Sequence, residues 1–131
     1  MQIHTKIIFL ICLIFITQNA LATFSGGTGT ITNPYIITNC LQLQDANIVT
    51  TIKHYALGSD INCYTETHLG GTLWNGGLGF SPIGNFNTGS FKGTFDGRGF
   101  AISNLYINRI TNDVGLFGFV QKITIKNLNL L

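Results

Sequence analysis

Apolar and polar residues alternate over short stretches of this chain, and turns rich in Gly and Asn separate these stretches. In the stretch FKGTFD, Phe91, Gly93 and Phe95 share one face of an extended strand, while Lys92 and Thr94 share the other. This alternation predicts a half-buried strand. The same reasoning predicts strands over residues 35–38, 54–61, 80–83, 91–96, 100–108, 114–120 and 123–131.

One stretch near the start has a helical pattern instead. Asn39 is a good N-cap residue, and Gln42 stands three positions later, where a capping-box partner belongs. Apolar residues at 41, 43, 46 and 48 give a partial apolar face. We therefore expect a short helix that begins after Asn39 and ends at about Val49.

Two segments near the end of the chain repeat each other. The segments 101–107 and 124–130 both read small-Ile-x-Asn-Leu-x-aliphatic, so that Ala101 corresponds to Thr124. Periods of about 20 to 30 residues with strand patterning are typical of solenoids, in which each period forms one coil. The repeat therefore predicts stacked coils.

Stacking of these coils would place equivalent residues of the repeat on one another. Ile102 would lie on Ile125 in the core, and Asn104 would lie on Asn127. Stacked Asn side chains can form a hydrogen-bonded ladder. In the alternative interpretation, each Asn only begins a turn.

The segment 1–22 has the pattern of a secretory signal. Lys6 precedes the apolar run IIFLICLIFI, and Ala20-Leu21-Ala22 matches a cleavage site. A membrane anchor is the alternative, but this apolar run is too short, since a spanning helix needs about 20 residues. We therefore predict export, a signal peptide over 1–22, a mature chain from Thr23 to Leu131 and no membrane span after cleavage.

Composition narrows the class of protein further. The chain has 131 residues, of which 45% are hydrophobic and 9% charged, with a net charge of +2. This length allows one domain beside the signal, and the charge is too small for a nucleic-acid partner. The 16 Gly and 10 Phe residues favour β-structure with tight turns over a helical bundle.

Two cysteines remain in the predicted mature chain, Cys40 and Cys63. In an oxidising compartment they could form a disulfide. They could equally remain as buried free thiols, because Cys packs as a small apolar residue. The sequence leaves both alternatives open.

The segment Gly115, Leu116, Phe117 and Gly118 resembles the GLUG motif of secreted bacterial surface proteins, which include adhesins and large peptidases. Other elements of the pattern follow in the expected order, so that the resemblance covers nearly all of residues 24–131. These elements are GGTG at 26–29, NPYII at 33–37, YAL at 55–57, DIN at 60–62, FSPIG at 80–84, FKGTFDG at 91–97 and ISNL at 102–105, which leads to VGLFG at 114–118.

The resemblance implies an all-β fold, a right-handed parallel β-helix with a short N-terminal capping helix. Family members usually continue through further coils, whereas this sequence stops at Leu131. We therefore expect the solenoid to be incomplete at its C-terminus and to self-associate through the open last coil. In the motif, the glycines would permit tight turns, and Leu116 and Phe117 would fill the core. A binding role for the motif is the alternative.

No combination of side chains indicates catalysis. The acidic residues of the predicted mature chain are dispersed, and only Glu66 and His68 form a close acid–histidine pair, in a Gly-rich loop. The His and Cys spacings do not match a zinc site. We therefore predict no catalytic residue, no metal site and no cofactor. The acidic residues are Asp45, Asp60, Glu66, Asp96 and Asp113.

These features together predict a noncatalytic structural or adhesin-like module that is secreted, periplasmic or on the cell surface. Its expected partner is a surface glycan or a host protein, and an exposed aromatic such as Trp74 could stack on a sugar. The alternatives are an accessory segment of a carbohydrate-active enzyme or secreted peptidase, and a truncated gene fragment.

Overall fold

The computed structural model describes residues 23–47 and 51–131, so the predicted signal at 1–22 lies outside the described residues. Two parallel sheets run through the described part of the chain, in the orders β1-β2-β4-β6 and β3-β5-β7. The strands are β1 (Tyr35–Ile37), β2 (Lys53–Leu57), β3 (Ile61–Asn62), β4 (Phe91–Asp96), β5 (Ala101–Ser103), β6 (Val120–Lys126) and β7 (Asn129–Leu130). Short helices lie between them: α1 (Cys40–Asp45), α2 (Tyr64–Thr67) and a 3-10 turn (Asn75–Gly77).

Strand pairing in the first sheet joins residues at unequal distances along the chain. Tyr35 pairs with Tyr55, Tyr55 with Phe95, and Phe95 with Ile125. The second of these steps is twice as long as the first, and the third is intermediate. No constant coil length therefore exists among the described strands, and the spacing of the sequence repeat is not the spacing of the sheet.

The prediction of an all-β, right-handed parallel β-helix is therefore wrong. The described residues form two small sheets that do not close, and short helices interrupt the connections between strands. The reason is local: the long connections are rich in Gly, Asn and Thr, which favour turns over continued strand pairing.

Two predicted strands, 80–83 and 114–120, are absent as strands. The chain there forms loops, joined by one parallel bridge between Ile83 and Phe117. The predicted strand at 91–96 is present as β4 with the same bounds. Its alternation holds, since Phe91 and Phe95 are buried.

The helix predicted after Asn39 is present as α1, and it ends earlier than expected, at Asp45. The Asn39 side chain accepts a hydrogen bond from the Gln42 backbone N–H at 2.9 Å, as an N-cap should. The Gln42 side chain does not complete a capping box. It accepts from the Thr38 N–H at 2.8 Å and donates to the Thr23 carbonyl at 2.8 Å, which fastens the start of the described chain to the helix.

One edge of the first sheet is covered and the other is open. The backbone at 25–26 pairs with Ile36, through Ser25 N–H to Ile36 O and Ile36 N–H to Gly26 O, each at 2.9 Å. On the opposite side β6 is the last strand, and every residue of β6 except Ile123 is exposed. The hydrophobic core therefore lies towards the covered side.

The core is built largely from aromatic rings. Tyr55 contacts Phe91 at 5.9 Å between ring centroids, and Phe117 contacts both Phe91, at 5.5 Å, and Phe95, at 5.3 Å. Phe80 is fully buried. Burial, with Tyr35 and Asp45 nearby, raises the pKa of Tyr55 to about 12, so its hydroxyl stays neutral at physiological pH.

Cys40 and Cys63 are joined by a disulfide, with 5.3 Å between their Cα atoms. Of the two alternatives left open by the sequence, the structure therefore has the cross-link. It ties the first residue of α1 to the residue that follows β3, and both cysteines are buried. The bond thus connects the helix at the covered side to the second sheet.

Loss of this disulfide should destabilise the fold substantially. The sequence separation of the two cysteines is 23, and closing a loop of that length removes about 3 kcal/mol of chain entropy from the unfolded state. The double variant Cys40→Ala/Cys63→Ala should lose about that much free energy of unfolding in a urea titration. An unchanged unfolding midpoint, with or without reductant, would show that the bond does not constrain the chain.

Candidate functional site

An open groove lies between two surface segments and is lined by both apolar and polar side chains. Its volume is about 750 Å³. One wall is the loop of residues 85–89, called here the Phe86 loop, and the other is the segment 109–113. Pro82 and Phe119 form part of the floor.

The Phe86 loop is fixed by its own backbone. Asn85 and Gly89 exchange two hydrogen bonds, Asn85 N–H to Gly89 O at 3.0 Å and Gly89 N–H to Asn85 O at 2.9 Å. The Asn85 side-chain oxygen also accepts from the N–H groups of Asn87 and Thr88, at 2.9 and 2.8 Å. The loop is therefore closed by hydrogen bonds among its own residues.

The opposite wall is anchored by Arg109. Its guanidinium donates to the carbonyl oxygens of Gly79 and Phe80, each at 3.0 Å. The Asn108 N–H donates to the Leu78 carbonyl at 3.0 Å. The charged group of Arg109 is thus engaged with backbone, which fixes the entry to the 109–113 segment.

The groove combines exposed apolar groups with neutral polar groups. Phe86 is 77% exposed, and its ring meets Phe119 edge to face at 5.8 Å. Ile110 on the other wall is fully exposed. The remaining side chains that line the walls are mostly amides and hydroxyls, from Asn87, Thr88, Thr111 and Asn112, with one carboxylate from Asp113.

The predicted structural motif adjoins this groove, because Gly118 lies close to Pro82 and Asp113, which line it. Gly118 N–H donates to Ile83 O at 3.0 Å, and Ile83 N–H donates to Leu116 O at 2.8 Å. Leu116 is buried, and Phe117 packs against two core phenylalanines. A side chain at Gly118 would overlap the carbonyl oxygen of Gly84. Gly115 is less constrained, since an added methyl group would lie 3.3 Å from Phe117 O.

The predicted ladder between Asn104 and Asn127 is absent. The side-chain amide of Asn104 donates to Asn62 at 3.1 Å, and that of Asn127 donates to Asp96 at 3.1 Å. The two residues lie beyond the ends of different sheets, because β5 precedes Asn104 and β6 precedes Asn127. Each adopts a positive φ, of 54° and 53°, which Asn tolerates at turns. The alternative interpretation, a turn at each site, describes them correctly.

Two of the dispersed carboxylates bind backbone or neighbouring strands. Asp60 accepts the Ala101 N–H at 2.8 Å. Asp96 accepts from the Arg98 N–H at 2.9 Å and lies 3.4 Å from the Lys126 ammonium. The Arg98 N–H, followed by Asn127 and Lys126, lowers the pKa of Asp96 against a smaller opposing effect of burial. These carboxylates therefore support turns at the ends of strands.

Glu66 and His68 line a second, shallow depression of about 390 Å³. No hydrogen bond joins their side chains among the described contacts. His68 instead lies 3.0 Å from the Tyr64 carbonyl and stacks on the Tyr64 ring, with centroids 4.2 Å apart. The His68 ring is thus engaged with Tyr64 and not with Glu66 in this structure.

Trp74 is one of three aromatic rings in successive contact, which also include Tyr106 and His68. It stacks on Tyr106 at 5.5 Å, and Tyr106 contacts His68 at 5.3 Å. Its backbone carbonyl accepts from Gly77 and Gly79, each at 3.0 Å. Trp74 therefore anchors the Gly-rich loop, which leaves less of its ring for a sugar than the sequence suggested.

Within residues 23–47 and 51–131, no group of three or more His, Cys, Asp or Glu side chains is placed to hold a metal ion. Cys40 and Cys63 are committed to the disulfide. His54 lies 3.0 Å from the Thr94 hydroxyl, across β2 and β4.

Sequence reasoning missed the groove and Phe86. The signal was present, however: in GNFNTG an aromatic residue stands among turn-forming residues, between Gly84 and Gly89. An aromatic at the tip of so short a turn has little chance of reaching the core.

No helix in the described part of the chain has the length and apolar character needed to cross a bilayer.

Comparisons with known proteins find two similar, much longer chains. Halomucin of Haloquadratum walsbyi is 36% identical over 114 residues, which cover 80% of this chain and 1% of that protein. A Gly-rich membrane protein of Evansella cellulosilytica is 36% identical over an alignment of 131 residues. That alignment covers 92% of this chain and 14% of that protein. No family model and no solved structure matches. Neither relative's name is that of an enzyme.

Replacement of Gly118 should test the structural role of the motif. In Gly118→Ala the new methyl group would overlap Gly84 O and crowd Pro82, which lies 3.0 Å away. Overpacking of this kind costs about 2 kcal/mol in free energy of unfolding. Gly26→Ala is the matched control, because its methyl group would meet only Ile36, at 3.7 Å. Equal urea midpoints for the two variants would contradict a structural role for Gly118.

The Asp96 turn should make stability depend on acid pH. Because the pKa of Asp96 is lowered in the folded state, its carboxylate stabilises the fold above the unfolded pKa of about 4. That contribution is lost as the pH falls through the lower, folded pKa. Asp96→Asn should therefore lower the melting temperature at pH 6 and have a smaller effect at pH 3. Asp113→Asn serves as the control, and a loss for Asp96→Asn that is equal at both pH values would refute the assignment.

Proposed function

We propose that this chain is a noncatalytic, adhesin-like structural module of an exported protein at the cell surface. The proposal rests on the buried disulfide between Cys40 and Cys63. Disulfides persist in oxidising compartments and are rare in the cytosol. This supports the secretory signal predicted at residues 1–22, which lie outside the described part of the chain.

The comparisons support the same location. One relative is named a membrane protein and the other halomucin, and this chain spans only a small part of each. If this chain were a module of a large surface protein, we would expect it to match a short part of much longer chains, as it does here.

The roles of the carboxylates support a noncatalytic assignment. Asp60 and Asp96, two of the residues that a glycosidase would need to bring together, are used to hold backbone N–H groups. A hydrolase on this scaffold would need two carboxyl groups that face a common substrate. We also infer that the motif Gly115, Leu116, Phe117 and Gly118 has the structural role that its GLUG resemblance implies.

An assay for turnover tests the noncatalytic part. The purified chain, incubated with a panel of polysaccharides and protein substrates, should release no product above a buffer control. A measurable activity that disappears in Glu66→Gln, Asp60→Asn or Asp96→Asn would overturn the proposal.

A labelling experiment tests the location. In intact cells that express the full sequence, a membrane-impermeant amine reagent should label the chain, and a cytosolic marker should stay unlabelled. The labelled chain should contain no thiol that reacts before reduction. Labelling only after cell lysis would contradict the surface assignment.

A further inference from the structure

We infer that the groove between the Phe86 loop and residues 109–113 binds a neutral oligosaccharide, with one sugar ring stacked on Phe86. The inference deepens the proposed function and rests on it, since a surface glycan is the partner class of an adhesin-like module. It names both the site and the chemistry of the ligand.

The first observation is the exposure of Phe86. Burial of a Phe side chain stabilises a protein by about 2 kcal/mol or more, yet this ring is 77% exposed at the tip of a loop. The backbone that carries this ring is held by the two hydrogen bonds between Asn85 and Gly89. Its edge-to-face contact with Phe119 also leaves ring surface open to solvent. Ile110, which is fully exposed, lines the same groove, and exposed apolar groups that are grouped in this way are typical of an interaction site.

The second observation is the type of polar group around the ring. Amide and hydroxyl side chains each offer both a donor and an acceptor, as sugar hydroxyls do. Such groups stand on both walls, with Asn87 and Thr88 on one side and Thr111 and Asn112 on the other. A pyranose ring presents C–H groups on its face and hydroxyls at its rim. The C–H groups suit the negative face of an aromatic ring, and the hydroxyls suit the walls.

The charge of the groove favours a neutral ligand. The groove contains one cationic and one anionic side chain, Arg109 and Asp113. Arg109 already donates to two backbone carbonyls, so it is poorly placed to select an anionic ligand. An acidic or basic polymer would find little net attraction here.

The size and rigidity of the groove are also suitable. Its volume of about 750 Å³ falls within the range of about 300–1,000 Å³ for small-ligand sites. The Phe86 loop is held by backbone hydrogen bonds, and the other wall is anchored at its first residue by the Arg109 guanidinium. This ordering before binding lowers the entropic cost of binding.

The test is titration of the disulfide-bonded Thr23–Leu131 chain with neutral hexasaccharides of glucose, xylose, mannose and N-acetylglucosamine. Binding is followed by calorimetry and by amide chemical shifts. At least one sugar should bind and shift the amides of the Phe86 loop and of residues 109–113. Phe86→Ala should weaken its binding at least tenfold, whereas Phe86→Tyr should retain it, because the ring is kept.

Leu69→Ala is the matched control, since Leu69 is 84% exposed and lies outside the groove. It should bind as the unaltered chain does, and melting curves should show that all variants fold. Failure of every sugar to bind would overturn the inference, as would binding that Phe86→Ala leaves intact. Preference for an unstructured peptide over every sugar would also overturn it. These outcomes concern binding and not turnover, so none of them would contradict the proposal of a noncatalytic module. Release of product in the turnover assay would refute that proposal instead.

Discussion

Parallel pairing is the constraint on which the rest of this structure depends. Two parallel neighbours cannot be joined by a tight turn, so the chain must travel about a dozen residues or more between them. Between Tyr55 and its partner Phe95 it passes through β3, α2, the 3-10 turn and the Phe86 loop. Each such connection lowers the entropy of the chain on folding, and the strands that it joins are only two to seven residues long. The connections must therefore be stabilised by additional contacts outside the sheets.

Three kinds of fastening are present. The disulfide joins α1 to the residue after β3. Side-chain amides bind the backbone of residues that are distant in sequence. The Gln44 amide, for example, donates to the Ser81 carbonyl at 2.9 Å and accepts from the Ser81 N–H at 2.8 Å. At Gly84 and Gly118 the two loops under the groove approach so closely that a side chain at either position would meet backbone. The last two of these contacts lie next to Ser81 and Pro82, which line the groove.

The local features of this fold could be predicted from the sequence better than its arrangement. The alternation around Phe91 gave the correct strand, and Asn39 gave the correct helix start, because both depend on neighbouring residues alone. The repeat near the end of the chain led to a wrong prediction of strand partners, because it placed Ile102 on Ile125 on the strength of their similar local sequences. Ile125 pairs with Phe95 and Ile102 with Leu130, because partner choice depends on the length of the intervening loops. Phe86 was overlooked for a related reason: exposure at a loop tip is decided by what the rest of the chain leaves uncovered.

The unequal edges of the first sheet restrict how copies of the chain could assemble through it. The outer edge of β1 is occupied by the backbone at 25–26, whereas β6 pairs with β4 alone among the described strands. A head-to-tail filament requires an accepting edge at both ends of each copy, and β1 does not offer one. Two β6 edges can meet only by facing each other about a twofold axis, which closes the assembly at two copies. Among the described residues, the covered edge of β1 therefore leaves β6 as the edge of the first sheet through which copies could pair.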